Sequence, residues 1–235
     1  MSIPVFEDDE REQFLAGSAS IALQIEPPFD QYIFIEKNED RCRELEKLCD
    51  TFPDKNIVIE NEDANTYLHK LCYNTNKNFW KQHRAVAFLD PYGMQVGWQT
   101  IEAIAQTKAI DMWYLFPLGI AVNRLLKRDG QISEAICHCL DRLFGESDWY
   151  NAFYQSFETP TLFGVETGID KTASFQKIEA YLKKRLKTIF LGVASNPRPL
   201  CNSKNNPLYL FCFASGNPKG YKLALKISQH ILGKM

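Results

Sequence analysis

The chain has no run of consecutive apolar residues approaching the roughly eighteen that a membrane-spanning helix requires. Its first residues, MSIPVFEDDERE, are acidic where a secretory signal would be basic and then apolar. A cytoplasmic location with no membrane partner is the expectation. The chain also lacks the G-x-x-x-x-G-K-[ST] loop that cradles nucleotide phosphates, which excludes a P-loop NTPase. No G-x-S-x-G elbow is present and no histidine follows a strand-like run, so hydrolysis by a Ser-His-Asp triad is excluded as well. Neither sign of charge is in large excess: 27 basic against 29 acidic residues leave a net −2. There is no global basic field to drive non-specific nucleic-acid binding, although a local patch would suffice. The seven cysteines, at Cys42, Cys49, Cys72, Cys137, Cys139, Cys201 and Cys212, are odd in number and scattered. That suits reduced thiols better than a disulfide framework. Only Cys137-His138-Cys139 hints at a metal, but it lies in a helical pattern where i and i+2 point to different faces, so no zinc site is expected.

Against these absences, 235 residues of which 45% are hydrophobic can bury a substantial core, and a single domain over residues 1–235 is expected. The most informative stretch is Arg84 to Trp98, RAVAFLDPYGMQVGW. Ala85 to Leu89 are consecutive apolar residues, too few for a buried helix and suited to a strand covered on both faces. Pro91 lacks an N–H and fixes φ, which stops the ladder, and Gly93 permits the sharp turn that follows. The strand therefore delivers Asp90, Pro91 and Tyr92 to its C-terminal tip. In open parallel α/β sheets ligands bind outside such tips. Asp-Pro-x-Gly is equally an ordinary turn sequence, with Asp accepting local N–H bonds and Pro presetting the bend.

Elsewhere the pattern repeats. Ala19 to Ile25 reads as a helix with Ser18 as its N-cap, ended by Pro27-Pro28. Tyr32 to Ile35 is a strand finishing on Glu36, followed by a helix from the cap Asn38 to about Cys49. Ile57 to Ile59 is a short strand with an acidic tip, Glu60 to Asp63, and a helix over Ala64 to Cys72. The central strand is followed by a helix around Thr100 to Thr107 and a fourth strand, Ile110 to Phe116, stopped by Pro117 and Gly119. Strands alternating with helices argue for βαβ crossovers and a mostly parallel sheet with helices on both faces.

Residues from about 118 to 187 then read as a helical insertion: Leu118 to Lys127, Ile132 to Phe144, Ser147 to Phe157, a bend over Leu162 to Ile169, and an amphipathic helix over Ser174 to Lys187. The polar face of that last helix carries Lys177, Lys183, Lys184, Arg185 and Lys187. It is either a solvated face with snorkelling stems or an edge that contacts phosphates. Thr188 to Ala194 and Leu208 to Phe213 predict a long antiparallel hairpin, and Lys219 to Leu232 a closing helix.

GSASIAL, YIFIEKNEDRCRELEKL, AFLDPYGMQVGWQTIEAIA and IDMWYLFPLG resemble the bacterial three-Cys-motif partner protein (TcmP) family, from Gly17 to about Arg124. LDPYG with a Trp five residues past its Gly, preceded by FIE, is the most specific combination. The resemblance implies a Rossmann-like, S-adenosylmethionine-dependent methyltransferase fold. Glu36 would bind the cofactor ribose, Asp63 would lie near the adenine, and Asp90, Pro91 and Tyr92 would hold an amino nitrogen for methylation. The family's name refers to cysteines of a companion protein, so a companion three-Cys-motif protein becomes a candidate partner.

Such folds open with a strand and a glycine-rich turn of the Phe-Ala-Gly-Pro-Gly kind, which lets backbone approach the cofactor. Here MSIPVFEDDEREQFLA, without a glycine, precedes Gly17-Ser18. Two functions are therefore expected in competition: an N-methyltransferase acting on a nucleic-acid base or related amine, and a catalytically degenerate scaffold that binds a partner protein or nucleic acid. Trp98 and Trp113 read as core aromatics, and His83 sits before the central strand, away from its tip.

Overall fold

The four apolar runs expected to be strands all form: β1 (Tyr32–Ile35), β2 (Ile57–Glu60), β3 (Ala85–Leu89) and β4 (Ile110–Phe116). The computed structural model describes residues 17–74, 78–162 and 164–234. The acidic N-terminal stretch read above, residues 1–16, lies outside them. The chain divides into two compact units, one reaching Tyr67 and the other beginning at Leu68.

In the first unit a helix over residues 17–23 (α1) buries Ala19 and Leu23 and exposes Ile21. β1 and β2 pair in parallel, in the register Tyr32↔Ile57 to Ile35↔Glu60. Helix α2 (Glu39–Cys49) crosses between them. Asn38 starts it as the sequence predicts, its side chain accepting from the N–H groups of Asp40 and Arg41. Helix α3 (Ala64–His69) follows β2 and carries the chain onward into a π-helical turn, Lys70–Asn74.

The second unit holds α4 (Phe79–Gln82), then β3, α5 (Trp98–Thr107) and β4. A π-helical turn, Leu118–Asn123, leads to α6 (Glu134–Phe144) and α7 (Trp149–Phe153). Next come strands β5 (Tyr154–Thr161) and β6 (Gly164–Lys171) and helix α8 (Phe175–Ile189). The chain closes through β7 (Gly192–Val193), β8 (Arg198–Cys201), β9 (Pro207–Ser215) and α9 (Tyr221–Lys234). Its main sheet runs β3-β4-β9-β7, with β8 also on β9. β3 and β4 are parallel, whereas β4, β7 and β8 all meet β9 antiparallel.

The α/β class therefore stands, but the expected mostly parallel sheet does not. The described strands form separate sheets, and the larger is mixed because β9 returns down its centre as the partner of both β4 and the short β7. Three local readings are also corrected. Ser147 to Phe157 is not one helix: α7 ends at Phe153 and the chain turns into β5, whose apolar Tyr154 and Phe157 keep a helical spacing but whose backbone pairs with β6 along its length. The bend over Leu162 to Ile169 is the turn and second strand of the β5–β6 hairpin. Thr188 to Ala194 is mostly not strand, since α8 runs through Ile189 and leaves only Gly192–Val193 to pair.

The core of this unit is aromatic. The Phe144 ring meets Phe116, Phe153 and Tyr181 at centroid distances of 6.0, 5.8 and 5.2 Å. One sheet face buries Met112, Tyr114, Leu210, Cys212 and Ala214. On the other, Trp113 stacks on Phe211 and meets a tilted Phe213 ring, while Val86 and Phe88 are exposed. Among the described residues no helix is long and apolar enough to cross a membrane.

Candidate functional site

At the C-terminal edge of the β1–β2 pair, the Glu36 N–H donates to the Glu60 carbonyl at 3.0 Å, continuing the ladder by one step. The Glu36 carboxylate turns back onto the loop, where Oε1 accepts the Asn38 N–H at 2.8 Å and Oε2 lies 3.9 Å from Arg41. The carboxylate lies at the start of α2, the positive end of that helix. Asn61, which the sequence reading passed over, ties the two strand tips together. Its side-chain amide donates to the carbonyls of both Glu36 and Lys37, each at 3.1 Å, and reaches Cys42 Sγ at 3.3 Å. The only sequence signal for this was a polar residue directly after a strand.

Asp63 closes the same edge as the residue before α3. Its Oδ1 accepts the Thr66 N–H at 3.1 Å, and its carbonyl accepts Tyr67 N–H at 3.0 Å. Burial opposes its charge, but hydrogen bonds from Thr66 and Asn65 and the nearby Lys37 outweigh that, and its pKa lies below the usual carboxylate value. Tyr67 is shifted the other way, upward, by burial and by the Glu60 and Glu62 carboxylates. The first unit thus brings Glu36 and Asp63 to one sheet edge, each already accepting backbone N–H bonds.

Asp90, Pro91 and Tyr92 belong to the second unit, directly after β3. Pro91 is buried, Asp90 is half-buried and the Tyr92 ring is 51% exposed. Gly93 has φ 61°, the left-handed conformation that the sequence assigned to it. The rest of the loop is anchored, since Arg142 of α6 donates to the Met94 carbonyl at 3.2 Å and Gly97 precedes α5 as its cap. Trp98 is core, as expected, at 2% exposure, with its indole N–H donating to Glu102 at 2.8 Å. Trp113 is part-buried among phenylalanines. His83 caps α4, stacked on Phe79 and bonded to its carbonyl at 2.9 Å.

Tyr114 was not singled out by the sequence. It pairs with Leu89 across β3–β4 and with Cys212 across β4–β9. Its hydroxyl is buried and has no hydrogen-bond partner among the described residues. Burial, reinforced by Cys212, pushes its pKa far above the ordinary tyrosine value, and burial does the same to the Cys212 thiol. Both groups stay neutral.

The basic face of α8 divides. Arg185 packs inward: its guanidinium lies 4.6 Å over the Trp98 ring, pairs with Glu146 at 2.9 Å and donates to the Phe144 carbonyl. Lys183 bonds Glu179 at 2.9 Å and the Ser195 carbonyl at 3.1 Å. Lys177, Lys184 and Lys187 are exposed, and the Lys177 ammonium donates to the Thr172 hydroxyl. Among the described residues no cluster of His, Cys, Asp and Glu could hold a metal ion. Compared with known proteins, the chain matches no family model, no curated protein and no solved structure.

Proposed function

We propose that this chain is a methyltransferase-like protein of the three-Cys-motif partner kind that binds S-adenosylmethionine and methylates an amino nitrogen, on a nucleic-acid base or a related amine. The observation that carries the reading is the end of β3. There the edge strand β3, paired in parallel with β4 and exposing Val86 and Phe88 on one face, delivers a half-buried carboxylate, a buried proline and a half-exposed tyrosine in immediate succession. Glu36 adds to it. A carboxylate has about four lone-pair sites, and the Asn38 N–H takes one of those on Glu36, which leaves acceptors for the two hydroxyls of a ribose. Asp63, less available because it caps α3, would face the adenine.

S-adenosylmethionine supplies an electrophilic methyl group on a sulfonium. The chain's own residues position its acceptor. The Asp90 carboxylate and the Pro91 carbonyl accept the two hydrogens of an exocyclic amine, which leaves the nitrogen lone pair pointing away from them. Tyr92 stacks on an extruded base. Asp90 then holds the proton that the alkylated nitrogen gives up. Positioning supplies most of the rate in such a transfer. A cytoplasmic setting and a companion three-Cys-motif protein belong to the same reading.

A second reading has its own support. Glu36 and Asp63 each perform a structural task, one closing the β1–α2 loop and the other capping α3. In that reading the chain is a scaffold without catalysis that binds a partner protein or nucleic acid, with the exposed Lys177, Lys184 and Lys187 as contacts. Calorimetric titration with S-adenosylhomocysteine separates the two: the enzyme binds it with a Kd set by Glu36, and the scaffold gives no heat at millimolar ligand.

A further inference from the structure

At the foot of the β5–β6 hairpin, Arg128, Asp170, Lys171, Thr172 and Ala173 line an open cavity of about 500 Å³. Its walls are held from several sides. The Lys171 N–H donates to the Arg128 carbonyl at 3.0 Å, and Thr172 and Ala173 both donate to the Phe153 carbonyl. The turn that presents Arg128 is clamped by two stacked tyrosines, Tyr154 donating to the Lys127 carbonyl at 2.9 Å and Tyr150 to that of Gly130 at 3.2 Å. Gly130 itself, at φ 70°, has no room for a side chain, because a Cβ there would lie 2.7 Å from Ile169 Cγ2. Asp129, an acid on the same turn, accepts the Gln131 N–H through Oδ1 at 3.0 Å.

The charges in this cavity are unbalanced. The Lys171 ammonium is part-buried and fixed by two 2.8 Å bonds to the Asn123 carbonyl and side chain, which leave its third hydrogen uncommitted to Asn123. Burial first, and then the neighbouring Arg128 charge, lower its pKa. A third, Lys177, reaches the Thr172 hydroxyl from α8, whose positive end begins just past Ala173. Against these stands one acid in the lining, Asp170. The arrangement joins a planar guanidinium fork to point-charge ammonium donors, the pair of chemistries that grips phosphoryl oxygens. Its volume falls within the roughly 300–1,000 Å³ of ligand pockets and exceeds what a lone ion needs.

We propose that this cavity binds a phosphoryl group, carried by a nucleotide, by a polynucleotide strand or as free phosphate. The site shares no residue with Glu36, Asp63 or the Asp90 turn and does not depend on methyl transfer. It also reassigns the anion-contacting role from the outward lysines of α8 to a fixed set in which only Lys177 is shared.

Thermal unfolding of the whole chain tests it, in inorganic phosphate and in chloride of matched ionic strength. The expected result is a rise of about 3 °C specific to phosphate at about ten times its Kd, lost in Arg128→Gln and kept in Lys184→Gln. Arg128 is exposed, so its variant should unfold at the wild-type temperature without ligand. Lys171→Gln, checked for folding in the same way, should lose the shift too. A phosphate effect no larger than that of chloride, or one unchanged in Arg128→Gln, overturns the proposal. Fluorescence anisotropy of a labelled single-stranded oligonucleotide identifies the source. Binding that phosphate competes away and Arg128→Gln weakens assigns the site to a polynucleotide, and a phosphate shift without oligonucleotide binding assigns it to a small phosphorylated ligand.

Discussion

The Asn61 side-chain amide donates to the Glu36 carbonyl at 3.1 Å and so fastens the tip of β2 to the tip of β1, at the edge where both cofactor candidates lie. The same amide reaches Lys37 and Cys42. Replacing it removes both amide donors and leaves the Glu36 carbonyl only the weaker Cys42 thiol at 3.3 Å. Asn61→Ala should lower stability in urea by about 1 kcal/mol. Asn61→Asp, which sets a carboxylate against two carbonyls, should cost at least as much. An Asp variant as stable as wild type would show that the staple carries no weight.

Asp63 couples the first unit to pH. Its folded pKa lies below the roughly 3.9 of an unfolded Asp. Its contribution is therefore fully present above that value and is lost as pH falls through the folded pKa. Wild-type stability should decline more steeply than that of Asp63→Asn on acidification below about pH 4, because Asn keeps the cap without titrating. Asp63→Ala should lose about 1 kcal/mol already at neutral pH. Equal acid slopes for wild type and Asp63→Asn would count against this assignment.

Gly119 opens the π-helical turn after β4, and a Cβ there would lie only 1.8 Å from the Pro207 carbonyl oxygen at the start of β9. Backbone on backbone has no soft way out, so Gly119→Ala should cost about 3 kcal/mol or more. Thermal unfolding reads this directly. A variant within about 1 kcal/mol of wild type would mean that β9 does not approach this closely.

Tyr114→Phe should be neutral or stabilising, by up to about 1 kcal/mol, because it removes a buried hydroxyl that has no partner. Destabilisation of that size would reveal a partner for the hydroxyl, and the residue would then join the polar groups near the Asp90 turn.

Much of this was legible in the sequence where local chemistry decides. Tyr32–Ile35 and Ala85–Leu89 are short unbroken apolar runs and became strands. Asn38 became the cap its position announced, and Gly93 made the sharp turn expected of it. Glu36 and Asp63 lie at strand tips as read. What failed depended on partners remote in sequence. β5 follows a helix without a break, and its register with β6 is invisible until the hairpin closes. β8 hid in a polar, proline-containing loop and exists only because β9 offers an edge. Arg185 looked like one more surface cation, but Trp98 and Glu146, far away in sequence, draw it inward. The antiparallel pairing of β9 with β7 was expected, whereas its second pairing, with β4, is a property of the whole sheet.

The most direct test of the account is a thermal shift with S-adenosylmethionine and S-adenosylhomocysteine, on wild type and on Glu36→Gln, which keeps an acceptor for the Asn38 N–H while removing the charge. The account predicts a rise of roughly 5 to 11 °C for wild type at a hundredfold excess over Kd, largely lost in the variant, with both proteins unfolding together in the absence of ligand. No shift at millimolar ligand, or a shift indifferent to Glu36, would contradict methyl-donor binding at this strand tip and leave the scaffold reading in its place.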